Sequence, residues 1–162
     1  MNAGHRTVSC LVAALALVAT APASAQARYA VSADGNEVTD SAAHVTWRRC
    51  AEGLRWNGKA CQGKLMKFTY HEARKRAADA AASGGAWRLP TRAELSGLVV
   101  RGKKKPLIDS TAFPNTPPQQ FWATRPGSDD DLNAWLVSFS NGRVYGNVGQ
   151  ARFPLRLVRD TP

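Results

Sequence analysis

Apolar and polar positions alternate in short runs along most of the chain, and only two stretches carry a helical period. Trp87 and Leu89 flank Arg88, and Trp135, Val137 and Phe139 occupy every second position. That spacing belongs to strands with one face against a core. The same reading predicts a leading strand over Ala27–Val31. The turn signal Asp34-Gly35-Asn36 follows it, and then a turn and a second strand within Val38–Trp47. Toward the end of the chain it predicts strands over Phe121–Arg125, Ala134–Ser140 and Val144–Val148, the last two joined by Ser140-Asn141-Gly142. A final strand, Pro154–Arg159, is expected to place Leu155 and Leu157 inward, Arg156 and Val158 on the other side, and to pair back near the first strand.

Both helical stretches start with a capping box, in which a threonine hydroxyl accepts from the third helical N–H and a glutamate three residues on reaches back to the cap. Thr69 with Glu72 opens a run continued by Ala73, Ala77, Ala78, Ala81 and Ala82 and stopped by Gly84-Gly85. Pro90 ends the extended run through Trp87, and Thr91 with Glu94 opens a second helix from Arg92 to about Val100. Leu95, Leu98 and Val99 form its apolar stripe. Beyond Gly102, Lys103-Lys104-Lys105-Pro106 breaks the period. The segment from Pro106 to Gln120 holds four prolines and is expected to be irregular, anchored by Ile108 and Phe113. Strands, two helices, a long loop and closing strands make an α+β chain with a mainly antiparallel sheet. No internal repeat interrupts that order.

Composition changes the picture at the N-terminus. Arg6, an apolar run over Leu11–Ala19 and Ala23-Ser24-Ala25 read as a signal peptide over residues 1–25, the run being too short to span a bilayer. Export is therefore expected, to the periplasm, the outside or the surface of a bacterium, with no membrane span left after cleavage and no intracellular nucleic acid to meet. Residues 26–162, 137 in number, fit one domain. They carry 21 basic and 12 acidic residues, a net charge of +9. Such a charge draws a protein to polyanions and anionic surfaces, although it also serves solubility alone. Cys10 leaves with the signal. Cys50 and Cys61 remain and are expected to form a disulfide, folded back at Asn57-Gly58.

Candidate chemistry is sparse. His44 and His71 stand apart from any zinc-type spacing, no cofactor motif occurs, and no nucleophile with a base is evident. Asp129, Asp130 and Asp131 offer oxygens of the kind calcium takes, but without the alternating ligand spacing, so a solvated turn is the favoured account. Arg101-Gly102-Lys103-Lys104-Lys105 is the densest basic cluster. Arg125, Arg143, Arg152, Arg156 and Arg159 add charge on the closing strands, and Tyr145 beside Arg143 offers a ring that stacks on a sugar. The expected ligand-binding set is Arg101, Lys103, Lys104, Lys105, Arg125, Arg143 and Tyr145, whereas the five tryptophans read as core or core-edge residues and not as sugar platforms.

Several of these stretches together resemble the Lcl C-terminal domain family: Trp47-Arg48-Arg49-Cys50 with Trp56 and Cys61, Trp87-Arg88-Leu89-Pro90-Thr91 with Glu94-Leu95, and Ile108-Asp109 with Phe113-Pro114-Asn115-Thr116. Phe121-Trp122-Ala123-Thr124, Ala134-Trp135, Phe139-Ser140-Asn141-Gly142 and Leu155-Arg156-Leu157-Val158-Arg159 extend it across nearly all of the chain after residue 25. The resemblance implies a fold of the C-type-lectin and sulfatase-modifying-factor kind. It also implies an association with sulfated glycans, as in the collagen-like adhesin that names the family. The collagen-like repeats are absent here. The enzymes of that superfold need reactive cysteines, and a structural bridge accounts better for the two here. The expectation is an exported, non-enzymatic, adhesin-like module for anionic glycans or other envelope polyanions. The alternative is an accessory subunit of an envelope assembly that binds a protein partner.

Overall fold

The structure is a computed structural model that describes residues 1, 27–102, 104–124, 134–146 and 150–161. Its elements are β1 (Tyr29–Val31), β2 (Glu37–Asp40), β3 (Val45–Arg48), β4 (Leu54–Trp56), β5 (Cys61–Gly63), α1 (Tyr70–Ala82) and α2 (Arg92–Gly97). They continue with β6 (Gln120–Ala123), β7 (Trp135–Ser138), β8 (Val144–Gly146) and β9 (Val158–Asp160). Three antiparallel sheets result, β1-β2-β3-β9, β4-β5 and β6-β7-β8, so the α+β expectation holds.

Val38–Trp47, expected as a turn and one strand, holds two strands, β2 and β3, joined by a turn over residues 41–44 in which His44 takes a positive φ of 53°. β9 pairs with β3 rather than with the first strand. Both helices carry their complete capping boxes. The second is shorter than its apolar stripe suggests, since Leu98 already serves as its C-cap. Its stripe is still used, for Leu95 and Leu98 are wholly buried.

Two hydrophobic clusters lie on either side of β6 and β7, and period two explains why. Phe121, Ala123 and Val137 face one cluster with Val38, Trp47, Leu95 and Phe113, while the intervening Trp122 and Leu136 face the other with Tyr70, Trp87, Leu155 and Leu157. A strand pair apolar on both faces has to sit inside the molecule. Aromatic pairs tie each side: Phe121 meets Phe139 edge-on at 5.2 Å, and Trp122 meets Phe153 at 5.3 Å. Trp122 also donates its indole N–H to the Phe68 carbonyl at 2.7 Å, so its burial leaves no polar atom stranded.

The closing segment runs through this interior instead of along an open edge. Arg48 N–H donates to the Leu157 carbonyl, Glu52 N–H to the Leu155 carbonyl and Trp122 N–H to the Pro154 carbonyl. Arg156, expected to add surface charge, is therefore wholly buried. Its guanidinium donates to the carbonyl of Arg48 at 2.8 Å, to the carbonyl of Arg49 and to Thr116 Oγ1 at 2.7 Å, and its central carbon lies 4.9 Å from the centre of the Phe113 ring. Burial pulls its pKa down from 12.5 to about 9, with the charge of Glu52 working the other way, so it stays protonated at neutral pH. It pins the disulfide-bearing segment to the long loop.

Candidate functional site

Cys50 and Cys61 are bonded, and the bridge closes the β4–β5 hairpin onto the end of β3. Arg49 lies over the Trp56 ring at 3.9 Å and donates to the carbonyls of Thr111 and Ala112, each at 3.1 Å. Asn115 accepts from Cys61 N–H at 3.0 Å. Much of the inner side of the long loop is thus spent on holding this hairpin. Gly35 sits on the same ring: its φ is +73°, and a β-carbon there would lie 2.3 Å from Trp56 Nε1.

The expected basic site is brought together in part. Leu107 N–H donates to the Phe139 carbonyl at 2.7 Å and Val100 N–H to the Leu107 carbonyl at 3.0 Å, which ties Val100 and Leu107 to the start of the β7–β8 turn. Gly142 in that turn has a φ of +71°, and a β-carbon on it would lie 3.0 Å from Val99 Cγ1 and 4.0 Å from Arg101 Nη1. Arg143 is the next residue. Arg101, Lys104, Lys105 and Arg143 are all exposed, and none forms an ion pair with a described residue. Tyr145 is half-buried, accepts from Asn141 Nδ2 at 2.8 Å and packs against the second cluster, so its ring helps to set the turn. Lys103, Arg125, Asp129, Asp130 and Asp131 lie outside the described residues, as do positions 2–26.

The remaining basic residues of the closing strands do not join that face. Arg152 pairs with Glu72 at 2.7 Å, and Arg159 pairs with Glu37 at 2.7 Å while standing 4.8 Å over Trp87. Arg88 grips Glu94 through two hydrogen bonds of 2.8 and 3.0 Å and also meets Asp160. Burial works to raise the pKa of Glu94, but the bonds from Arg88 and from Thr91 N–H hold it below the usual carboxylate value. Its two oxygens thereby serve both the helix cap and the ion pair.

A polar cleft of about 760 Å³ opens elsewhere, along β4, with Arg48, Arg55, Glu52, Trp56, Met66 and Trp87 on its walls. Glu52 is buried between Arg48 Nη1 at 2.9 Å and Arg76 Nε at 2.7 Å. Arg55 is exposed and has no ion pair among the described residues. None of the expected ligand-binding residues that are described, Arg101, Lys104, Lys105, Arg143 and Tyr145, lines this cleft. Its signal in the sequence was the interleaving of tryptophan and arginine at Trp47-Arg48-Arg49 and Arg55-Trp56, which reads equally well as core beside a disulfide.

His44 and His71 are both exposed, and among the described residues no three His, Cys, Asp or Glu side chains group to hold a metal ion. No helix among them is long and apolar enough to cross a membrane. The family model of the Lcl C-terminal domain matches residues 36–159. No curated protein and no solved structure matches the chain.

Proposed function

Since the chain belongs to the Lcl C-terminal domain family, we propose that it is an exported, non-enzymatic binding module that holds an anionic glycan or a similar envelope polyanion. The carrying observation is the grouping of Arg101, Lys104, Lys105 and Arg143 at one end of the β7–β8 hairpin, exposed and without carboxylate partners among the described residues. Unpaired cations on adjacent turns keep their N–H donors for an outside anion. Arginine offers a fork to sulfate or carboxylate and lysine a point charge, so the face accepts varied spacing of negative groups. Export rests on the apolar leader and on the Cys50–Cys61 bond, which oxidising compartments maintain.

Heparin-resin chromatography tests this reading. The protein should elute at higher salt than an unrelated protein of equal net charge. The combined change Lys104→Gln, Lys105→Gln, Arg143→Gln should move elution to lower salt by more than a matched triple change at Lys59, Lys64 and Lys67. Equal shifts from the two triple variants would reduce the interaction to bulk charge and remove the face as a site.

A further inference from the structure

The cleft along β4 has three properties that the polyanion reading leaves unused. First, its charge is unbalanced after internal pairing. Among the described residues of its walls both carboxylates are taken, Glu37 by Arg159 at 2.7 Å and Glu52 by Arg48 and Arg76. A guanidinium carries five N–H donors, so Arg48 and Arg76 each keep several after the bonds to Glu52, and Arg55 keeps all of its own. The side chains of Arg48 and Arg76 are 31% and 40% exposed, which leaves those donors within reach of a ligand.

Second, the cleft follows a strand with an open edge. It touches Gly53 and every residue of β4 but none of β5. In the hairpin, Asn57 N–H donates to the Ala60 carbonyl, and the register pairs Arg55 with Gln62 and Trp56 with Cys61. Hydrogen-bonded and non-bonded pairs alternate along an antiparallel ladder, so Trp56 and Cys61 form a non-bonded pair whose backbone groups point away from each other. Cys61 N–H does turn outward, to Asn115 Oδ1. The N–H and carbonyl of Trp56 and the carbonyl of Leu54 face the opposite side and have no partner among the described residues.

Third, the walls beside that edge supply apolar contact. Met66 is 47% exposed, and Leu54 and Trp56 share one face of β4. A thioether beside an indole and a leucine packs adaptably against varied side chains. The cleft volume, about 760 Å³, lies in the range of ligand sites, roughly 300–1,000 Å³.

We propose that this cleft docks an extended acidic peptide segment of a partner protein, which adds as a strand to the open edge of β4. The partner's backbone bonds to Trp56 and Leu54, its carboxylate side chains take Arg48, Arg55 and Arg76, and its apolar side chains lie on Trp56 and Met66. Strand addition draws affinity from main-chain bonds and specificity from alternate side chains, and β4 offers both. A glycan would use the guanidinium groups but has no row of amides to satisfy the strand edge. The proposal does not depend on the basic face of Arg101, Lys104, Lys105 and Arg143, none of which lines this cleft.

Panning a phage-displayed library of random eight-residue peptides against the purified protein, followed by fluorescence anisotropy with one enriched peptide, tests it. Enriched peptides should alternate Asp or Glu with apolar residues. N-methylation of alternate backbone amides and the exposed-site change Arg55→Gln should each weaken binding at least tenfold, while Lys104→Gln, Lys105→Gln leaves it unchanged. Full-strength binding of the N-methylated peptide, or equal binding by Arg55→Gln, would overturn the proposal. So would an absence of enrichment, or binding of a heparin tetrasaccharide lost in Arg55→Gln while no peptide binds. Comparing the melting temperature of Arg55→Gln with that of the parent protein separates a lost site from a lost fold.

Discussion

Arg28, Arg156 and Arg159 spend their guanidinium groups on the protein itself, whereas the cations at the β7–β8 turn are left to the solvent. Arg156 is buried on two carbonyls and a hydroxyl, Arg28 grips the buried Asp40 through bonds of 2.9 and 2.7 Å, and Arg159 is divided between Glu37 and Trp87. Arg101, Lys104, Lys105 and Arg143 have no such partner among the described residues. The difference teaches that the charge of +9 over residues 26–162 is not one quantity. Part of it is structural glue whose removal costs stability, and part is free to act at a distance on an anion.

The largest loss of stability is expected where a guanidinium is buried. Arg156→Ala removes hydrogen bonds from a charged donor and strands the carbonyls of Arg48 and Arg49, so it should destabilise by roughly 3 kcal/mol or more in urea unfolding. Arg143→Ala should stay within about 0.5 kcal/mol of the parent, as exposed substitutions without partners do. Similar losses from both would erase the division between the two groups.

A smaller effect, up to ~3 kcal/mol, is expected from Cys50→Ser, Cys61→Ser, since the bridge restrains a short loop in the unfolded chain. Because the β4–β5 hairpin hangs on that bond, the double variant should also alter Trp56 fluorescence, while elution of the folded protein from heparin resin stays as before. A change in heparin elution would place the polyanion contact on the cleft side.

Acid sharpens the comparison further. Glu94 and Glu72 are both held below their ordinary value of 4.5, Glu94 by Arg88 and Thr91 against the cost of burial, and Glu72 chiefly by Thr69 N–H. Asp34 is lowered to about 2 by Ser32 and Asn36. A carboxylate with a depressed folded pKa binds fewer protons than its unfolded form, so its stabilisation is complete above the ordinary value and is lost as pH falls through the folded one. The melting temperature should therefore decline from about pH 4.5 toward pH 2, and Glu94→Gln should flatten the upper part of that decline. An unchanged profile in Glu94→Gln would show that the Arg88 pair carries no pH-linked stability. The smallest shift belongs to Lys104→Gln, Lys105→Gln, Arg143→Gln: a melting temperature within about 2 °C of the parent, beside the lowered salt of elution.

Much of the fold is legible from local patterns. The two capping boxes, the glycine stop after α1, the Asn57-Gly58 hairpin and the alternation in Trp135–Phe139 are properties of neighbouring residues, and each appears where its spacing puts it. The split of β2 from β3 at His44 was not legible, because a non-glycine residue with positive φ carries no compositional mark. The burial of Arg156 was equally hidden. Its neighbours Leu155 and Leu157 predict an ordinary half-exposed strand, whereas the strand starts only at Val158, and the passage of the preceding segment between two clusters encloses Arg156.

The same division runs through the candidate sites. Sequence by itself determined that the chain is α+β with two capped helices, that two cysteines can bridge across a tight turn, and that a dense basic cluster opens the long loop. These depend on residue type and spacing within about a dozen positions. Tertiary structure alone decided which of the described cations remain unpaired and that the turn carrying Arg143 stands beside Arg101. It also decided that Glu52, Arg48 and Arg76 meet behind β4 to leave a positive cleft along an open strand edge. Charge is written in the sequence, but whether a charge is spent or available depends on partners brought close from far along the chain, such as Glu37 for Arg159 across 122 positions.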